Sequence, residues 1–178
     1  MPLTKLTLSN GKYYIRTEAP HKGYLQGKLC SISEKATKPR LSSLFDMTAI
    51  NGSSRLVSLR SSFFDGSYLA VQKIEKDERN EITVEEKENF SGRLFLLKND
   101  NKSSILEAAQ AAQFELFVPL SANNEAKKGD GVRAIIRSVS NQRFLSIKFG
   151  GNPFASEKDP ALATVFILER FLSPFLSY

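Results

Sequence analysis

Residues 57–71 read VSLRSSFFDGSYLAV, and the phrase recurs in altered form as YYIRTEAPHKGYLQG over 13–27 and AIIRSVSNQRFLSIK over 134–148. Each copy has an apolar residue and Arg, a polar or Gly-containing turn, then an aromatic and Leu. The separations Arg16–Tyr24, Arg60–Tyr68 and Arg137–Phe144 are 8, 8 and 7 residues. Two short apolar runs divided by such a turn predict a β-hairpin. Alternation sets Ile15, Leu59 and Ile136 on one face, and the rings of Tyr24, Tyr68 and Phe144 are expected to return to the same core. The three arginines read as structural, with stems on apolar surface and heads in solvent.

A second element follows each hairpin: SLFDM at 43–47, QFELF at 113–117 and VFILE at 165–169, each with a central Phe in a strand-like run. From the repeat Arg to this Phe is 29 residues in the first and third units and 54 in the second. The excess falls on an insertion over 73–104, made of the charged stretch KIEKDERNEITVEEKENF and the polar NDNKSS. The chain therefore reads as three units of one plan, about 4–50, 51–120 and 131–171, in one domain with an apolar tail over 171–178. A unit of roughly 40 residues with four short strands cannot bury its apolar face alone, whereas three units close a barrel capped by hairpins. An all-β architecture follows. Ser103–Gln113, rich in helix formers and opened by Ser, reads equally as a short helix or as the start of the next strand.

The Leu59-Arg60-Ser61 phrase followed by Gly66-x-Tyr68-Leu69, closed later by a Phe-centred strand, resembles the repeat of β-trefoil proteins, particularly the fascin and hisactophilin branch. The stretch NPFASEKDPALATVFILE over 152–169 is similar to the second half of such a repeat. Leu8, Gly11, Tyr13, Ile15 and Arg16 resemble the opening of mushroom trefoil lectins and protease inhibitors. The likeness lies in core positions, so it implies a fold rather than an activity. The sequence departs from two branches. It has no Trp and therefore no Q-x-W signature, and its only histidine is His21, so the His-rich loops of hisactophilin are missing.

Composition narrows the function classes. At 178 residues with 41% hydrophobic content the chain is long enough to close a core and too apolar for intrinsic disorder. No run approaches the roughly 18 apolar residues of a membrane span. The lone Cys30 and an N-terminus without an apolar signal stretch lead us to expect a cytoplasmic protein. The net charge of +6 is uneven: residues 1–40 carry eight Lys/Arg against two acids, which suits an anionic partner or simply a solvated surface.

Catalytic material is thin. One His and one Cys exclude His-cluster metal sites, and the glycines at 129, 131, 150 and 151 flank turns rather than forming a phosphate cradle. We expect no enzyme activity, no metal and no cofactor. Binding residues are then expected on loops. Phe63, Phe64 and Asp65 form an aromatic-acid turn suited to stacking on a sugar face and bonding its hydroxyls, although one Phe can equally belong to the core. Asn141, Gln142, Phe149 and Asn152 offer amides and a ring near the third hairpin, where ordinary turn chemistry is the competing explanation. The expected function is lectin-like glycan recognition. The alternatives are actin binding of the fascin kind through the basic first quarter, and protease inhibition with Lys76 or Arg79 of the insertion entering a specificity pocket. The apolar tail packs on the barrel or seals a homodimer.

Overall fold

The computed structural model describes residues 2–18, 23–28, 31–36, 38–50, 53–64, 66–71, 92–98, 110–120, 131–147 and 153–172. Twelve strands run through them: β1 (Gly11–Thr17), β2 (Tyr24–Lys28), β3 (Ser31–Ala36), β4 (Leu44–Ile50), β5 (Ser53–Ser61), β6 (Ser67–Val71), β7 (Leu94–Lys98), β8 (Phe114–Phe117), β9 (Val132–Ser138), β10 (Phe144–Ile147), β11 (Pro153–Glu157) and β12 (Phe166–Arg170). β1 pairs β4, β4 pairs β5, β5 pairs β8, β8 pairs β9, β9 pairs β12, and β12 returns to β1, all antiparallel. Six strands thus close a barrel, which removes the edges that an open sheet would expose. The other strands form the hairpins β2–β3, β6–β7 and β10–β11, which touch one another across one end of the barrel.

The pairing register repeats with the units. Arg16 lies opposite Tyr24, Arg60 opposite Tyr68, and Arg137 opposite Phe144. Phe45, Phe114 and Phe166 face Ser61, Ser138 and Thr17 of the following unit. All three Phe rings are fully buried, and burying such a ring is worth about 1.5–3 kcal/mol. The facing hydroxyls are buried too, and they serve the hairpin turns. Thr17 Oγ1 accepts the Gly23 N–H at 3.0 Å, and Ser61 Oγ accepts the Phe63 and Phe64 N–H groups at 3.3 and 3.1 Å. A residue after the repeat Arg must therefore be small enough to face a Phe and polar enough to hold a turn, which explains Ser or Thr there.

Alternation puts Ile15, Leu59 and Ile136 in the core as expected, but not the aromatic rings. Directly opposed residues of an antiparallel pair share one face, so a ring opposite an outward Arg points outward as well. Tyr24 and Tyr68 are half-buried on the outer wall, and Phe144 is buried in a separate cluster with Phe117 and Ile135. The following residues, Leu25, Leu69 and Leu145, supply the core instead. Nor do the heads of Arg16 and Arg137 lie free in solvent: each is held by a carboxylate, Glu169 and Glu115 respectively.

Two close approaches lock the structure. Gly92 has φ +88°, and a Cβ there would lie 2.4 Å from the Ala155 carbonyl oxygen, so only Gly lets the second and third hairpins meet. The Ala155 N–H donates to Gly92 O at 2.7 Å across that junction. Between β5 and β8 the register is a single position, Val57 opposite Phe114. Residues 4–6 run along the edge of β8 that β9 leaves uncovered: Leu6 N–H donates to Leu116 O at 2.9 Å and Val118 N–H to Thr4 O at 2.8 Å. Of Ser103–Gln113 only residues 110–113 are described, where Gln113 N–H closes a turn onto Gln110 O at 3.3 Å. In the tail, Phe171 packs edge-to-face on Tyr14 with centroids 5.9 Å apart and donates its N–H to Lys12 O; residues 173–178 lie outside the described residues.

Candidate functional site

Where consecutive units meet, the register gathers five outward side chains: two from the Phe-centred strand, two from the next unit's first strand, and the ring opposite Arg. At the first seam these are Asp46, Thr48, Ser58, Arg60 and Tyr68, with Asp46 opposite Arg60 and Thr48 opposite Ser58. Together with Asn10, Gly11 and Met47 they line a cleft of about 400 Å³. The volume is within the range of small-molecule sites. Asp46 accepts a hydrogen bond from Lys12 Nζ at 2.7 Å, which holds its carboxylate at the rim. Asn10 Oδ1 accepts the Ala49 N–H at 2.9 Å, which fixes the amide and leaves its NH2 group as the donating end. The cleft therefore gathers a carboxylate, an amide, two hydroxyls, a guanidinium and a phenol around an open space. Such a set offers hydrogen-bond donors, acceptors and a ring face side by side.

The second seam carries Glu115, Phe117, Ile135, Arg137 and Phe144. Glu115 is buried and accepts from Lys5 Nζ at 2.9 Å and from Arg137 Nη2 at 2.6 Å. Burial alone would raise its carboxyl, but the hydrogen bonds from Lys5 and Arg137 outweigh it and hold the group below the usual carboxylate range. The Arg137 guanidinium lies 4.9 Å from the Phe117 ring centre and 5.7 Å from that of Phe144. At the third seam Arg16 and the Tyr24 hydroxyl both donate to Glu169, and Tyr14 packs edge-to-face on Tyr24 at 6.1 Å. Burial, then the nearby Glu169 charge, raises the Tyr24 phenol, so it stays a proton donor to that carboxylate.

The described loop residues singled out from sequence fall in two turns. Phe63 and Phe64 are in the β5–β6 turn, and Asn141 and Gln142 are in the equivalent β9–β10 turn of another unit. Phe63 is 54% exposed and stacks edge-to-face on Phe64 at 4.7 Å, while Phe64 is half-buried, packed over Gly27 of the first hairpin. Asn141 is absorbed by its own turn: Nδ2 donates to Ala155 O at 2.9 Å and Oδ1 accepts the Arg143 N–H at 3.1 Å. Gln142 is exposed, sits at φ +56°, and donates to Val139 O. Asp65, Phe149, Asn152, Lys76, Arg79, His21 and Cys30 lie outside the described residues. Sequence reasoning missed Asp46, Thr48 and Ser58 altogether. Reading the repeats column by column would have exposed them, since positions 48, 117 and 169 hold Thr, Phe and Glu while 58, 135 and 14 hold Ser, Ile and Tyr.

No protein-family model matches the sequence, and no curated protein sequence matches it. Solved structures do. An arabinofuranosidase complexed with arabinofuranosyl-α-1,2-xylobiose superposes with TM-score 0.64 at 14% identity over 94% of this chain, which spans 33% of that one. The Macrolepiota procera ricin B-like lectin in complex with lactose gives TM-score 0.56 at 15% identity, over 93% of this chain and 100% of the lectin. The β-trefoil BEL, in an apo crystal form, gives 0.57 at 12% identity, over 96% and 100%.

The fold is a β-trefoil.

The barrel strands and hairpins described above are the trefoil's three repeats. Leu94–Lys98, which the sequence reading put inside the insertion over 73–104, is instead the strand β7 paired with β6 in the second hairpin, and residues 73–91 and 99–104 lie outside the described residues. Among the described residues no helix is long and apolar enough to cross a membrane, and no group of three or more His, Cys, Asp or Glu side chains is arranged to hold a metal ion.

Proposed function

We propose that this trefoil is a non-enzymatic, cytoplasmic carbohydrate-binding protein, and that the cleft of Asp46, Thr48, Ser58, Arg60 and Tyr68 holds a saccharide. The observation that carries the reading is the cleft itself: about 400 Å³ of open space ringed by hydrogen-bonding groups and a tyrosine. Asp46 accepts from sugar hydroxyls, Asn10 and Arg60 donate to ring and hydroxyl oxygens, and Tyr68 offers apolar surface to the C–H face. Neighbours that match over their whole length include a lectin with bound lactose, which adds support by analogy of fold.

The actin-binding alternative draws less support, because Lys5, Lys12 and Arg16 of the basic first quarter are engaged with Glu115, Asp46 and Glu169. The inhibitor alternative rests on Lys76 and Arg79, outside the described residues. A printed array of mono- and oligosaccharides, probed with the wild type and with Tyr68→Ala, tests the proposal. The expected result is glycan-dependent binding by the wild type that Tyr68→Ala loses while melting at the same temperature. A wild type that binds no glycan on the array overturns it.

A further inference from the structure

The three seams present the same five positions, and the cleft described above lies at the first. Opposite Arg60, Arg137 and Arg16 stand Asp46, Glu115 and Ile167, and the larger change in bulk is in the neighbouring opposed pair. It is Thr48 and Ser58 at the first seam, Phe117 and Ile135 at the second, and Glu169 and Tyr14 at the third. Phe117 and Ile135 are buried with Phe144 against Leu3, Ala163 and Val165, and the Lys5 ammonium lies 5.9 Å from the Phe117 ring centre. Glu169 takes the hydrogen bonds of Arg16 and Tyr24 while Tyr14 stacks on both Tyr24 and Phe171. At the second and third seams the chain's own side chains fill the space over the Arg and its facing ring. At the first seam Thr48 is exposed and Ser58 half-buried, and neither is long enough to reach across.

We propose that Thr48 and Ser58 are the specificity-determining residues of the saccharide site, and that each chain binds one saccharide, at the first seam. The inference rests on the saccharide reading above and deepens it. The threefold plan supplies three places of one shape, and side-chain bulk closes two of them. A single copy then holds a glycan without bridging two of them, so it binds glycan-coated surfaces but does not cross-link them.

Thr48→Phe and Ser58→Ile install the second seam's residues in the first. Both positions are on the outer wall, and the two variants are made and read separately so that a folding defect in one leaves the other decisive. The expected result on the same printed array is loss of signal for Thr48→Phe and Ser58→Ile with unchanged thermal melting. Native mass spectrometry of the wild type with soluble forms of the array glycans is expected to give one saccharide per chain. Wild-type signal retained by folded Thr48→Phe or Ser58→Ile, or two or three saccharides per chain, overturns the inference while leaving the saccharide reading in place. A wild type silent across the array overturns both.

Discussion

Replacing Glu115 by Gln isolates the electrostatics of the second seam. The side chain keeps its shape, but the carboxylate that receives Lys5 and Arg137 becomes a neutral amide with one acceptor and an NH2 group facing two cations. The two partners do not contribute equally. Lys5 is 41% exposed, so its pair is worth about 0–1 kcal/mol, as for other surface ion pairs. Arg137 is 25% exposed, bonds the carboxylate through both Nε and Nη2, and packs over two rings. Hydrogen bonds to charged groups contribute about 1.5–3 kcal/mol each, and partial exposure keeps this pair near the lower end. Together these give a loss of about 2 kcal/mol, which for a chain of this size lowers the melting temperature by about 4–8 °C.

Urea unfolding of wild type and Glu115→Gln across a pH series is the assay. The folded Glu115 pKa is depressed, so its contribution is complete above the unfolded value of about 4.3 and is lost as pH falls through the lower folded value. The gap between the two proteins therefore narrows on acidification. Removing Lys5 in either background should change stability by no more than about 1 kcal/mol. A gap that stays constant with pH, or a loss below about 0.5 kcal/mol at neutral pH, refutes the reasoning.

Two further outcomes follow from the repeats and the turns. Phe45→Ala, Phe114→Ala and Phe166→Ala each remove a fully buried ring from an equivalent place, so urea melts should give three similar losses of about 3–5 kcal/mol. Asn141→Ala deletes both hydrogen bonds that close its turn and should lower stability by about 1–2 kcal/mol while leaving glycan-array binding unchanged.

The fold was legible because a trefoil repeats its core: each repeat Arg pairs with its aromatic, and each central Phe pairs with the residue three before that Arg, at Tyr13, Val57 and Ala134. The rings of Tyr24, Tyr68 and Phe144 were misplaced because their apolar character suggested burial, whereas their position opposite an arginine fixes the outer face. Asn141 has the chemistry of a sugar contact and of a turn clamp alike, and the register that brings Ala155 beside it gives it the hydrogen bonds of a turn clamp. The cleft itself left no motif. It arises where Thr48 and Ser58 fail to fill a space that Phe117, Ile135, Tyr14 and Glu169 fill elsewhere, and missing bulk stands out only against its repeats.

The edge strand supplied by residues 4–6 has a bearing on how the chain is made. Leu6 is synthesised 110 positions before Leu116, whose carbonyl it bonds. During vectorial synthesis that early segment cannot make these bonds until β8 has left the ribosome. That pairing is stitched from a distance rather than zipped from a neighbouring turn, and the return of β12 to β1 spans a longer stretch still.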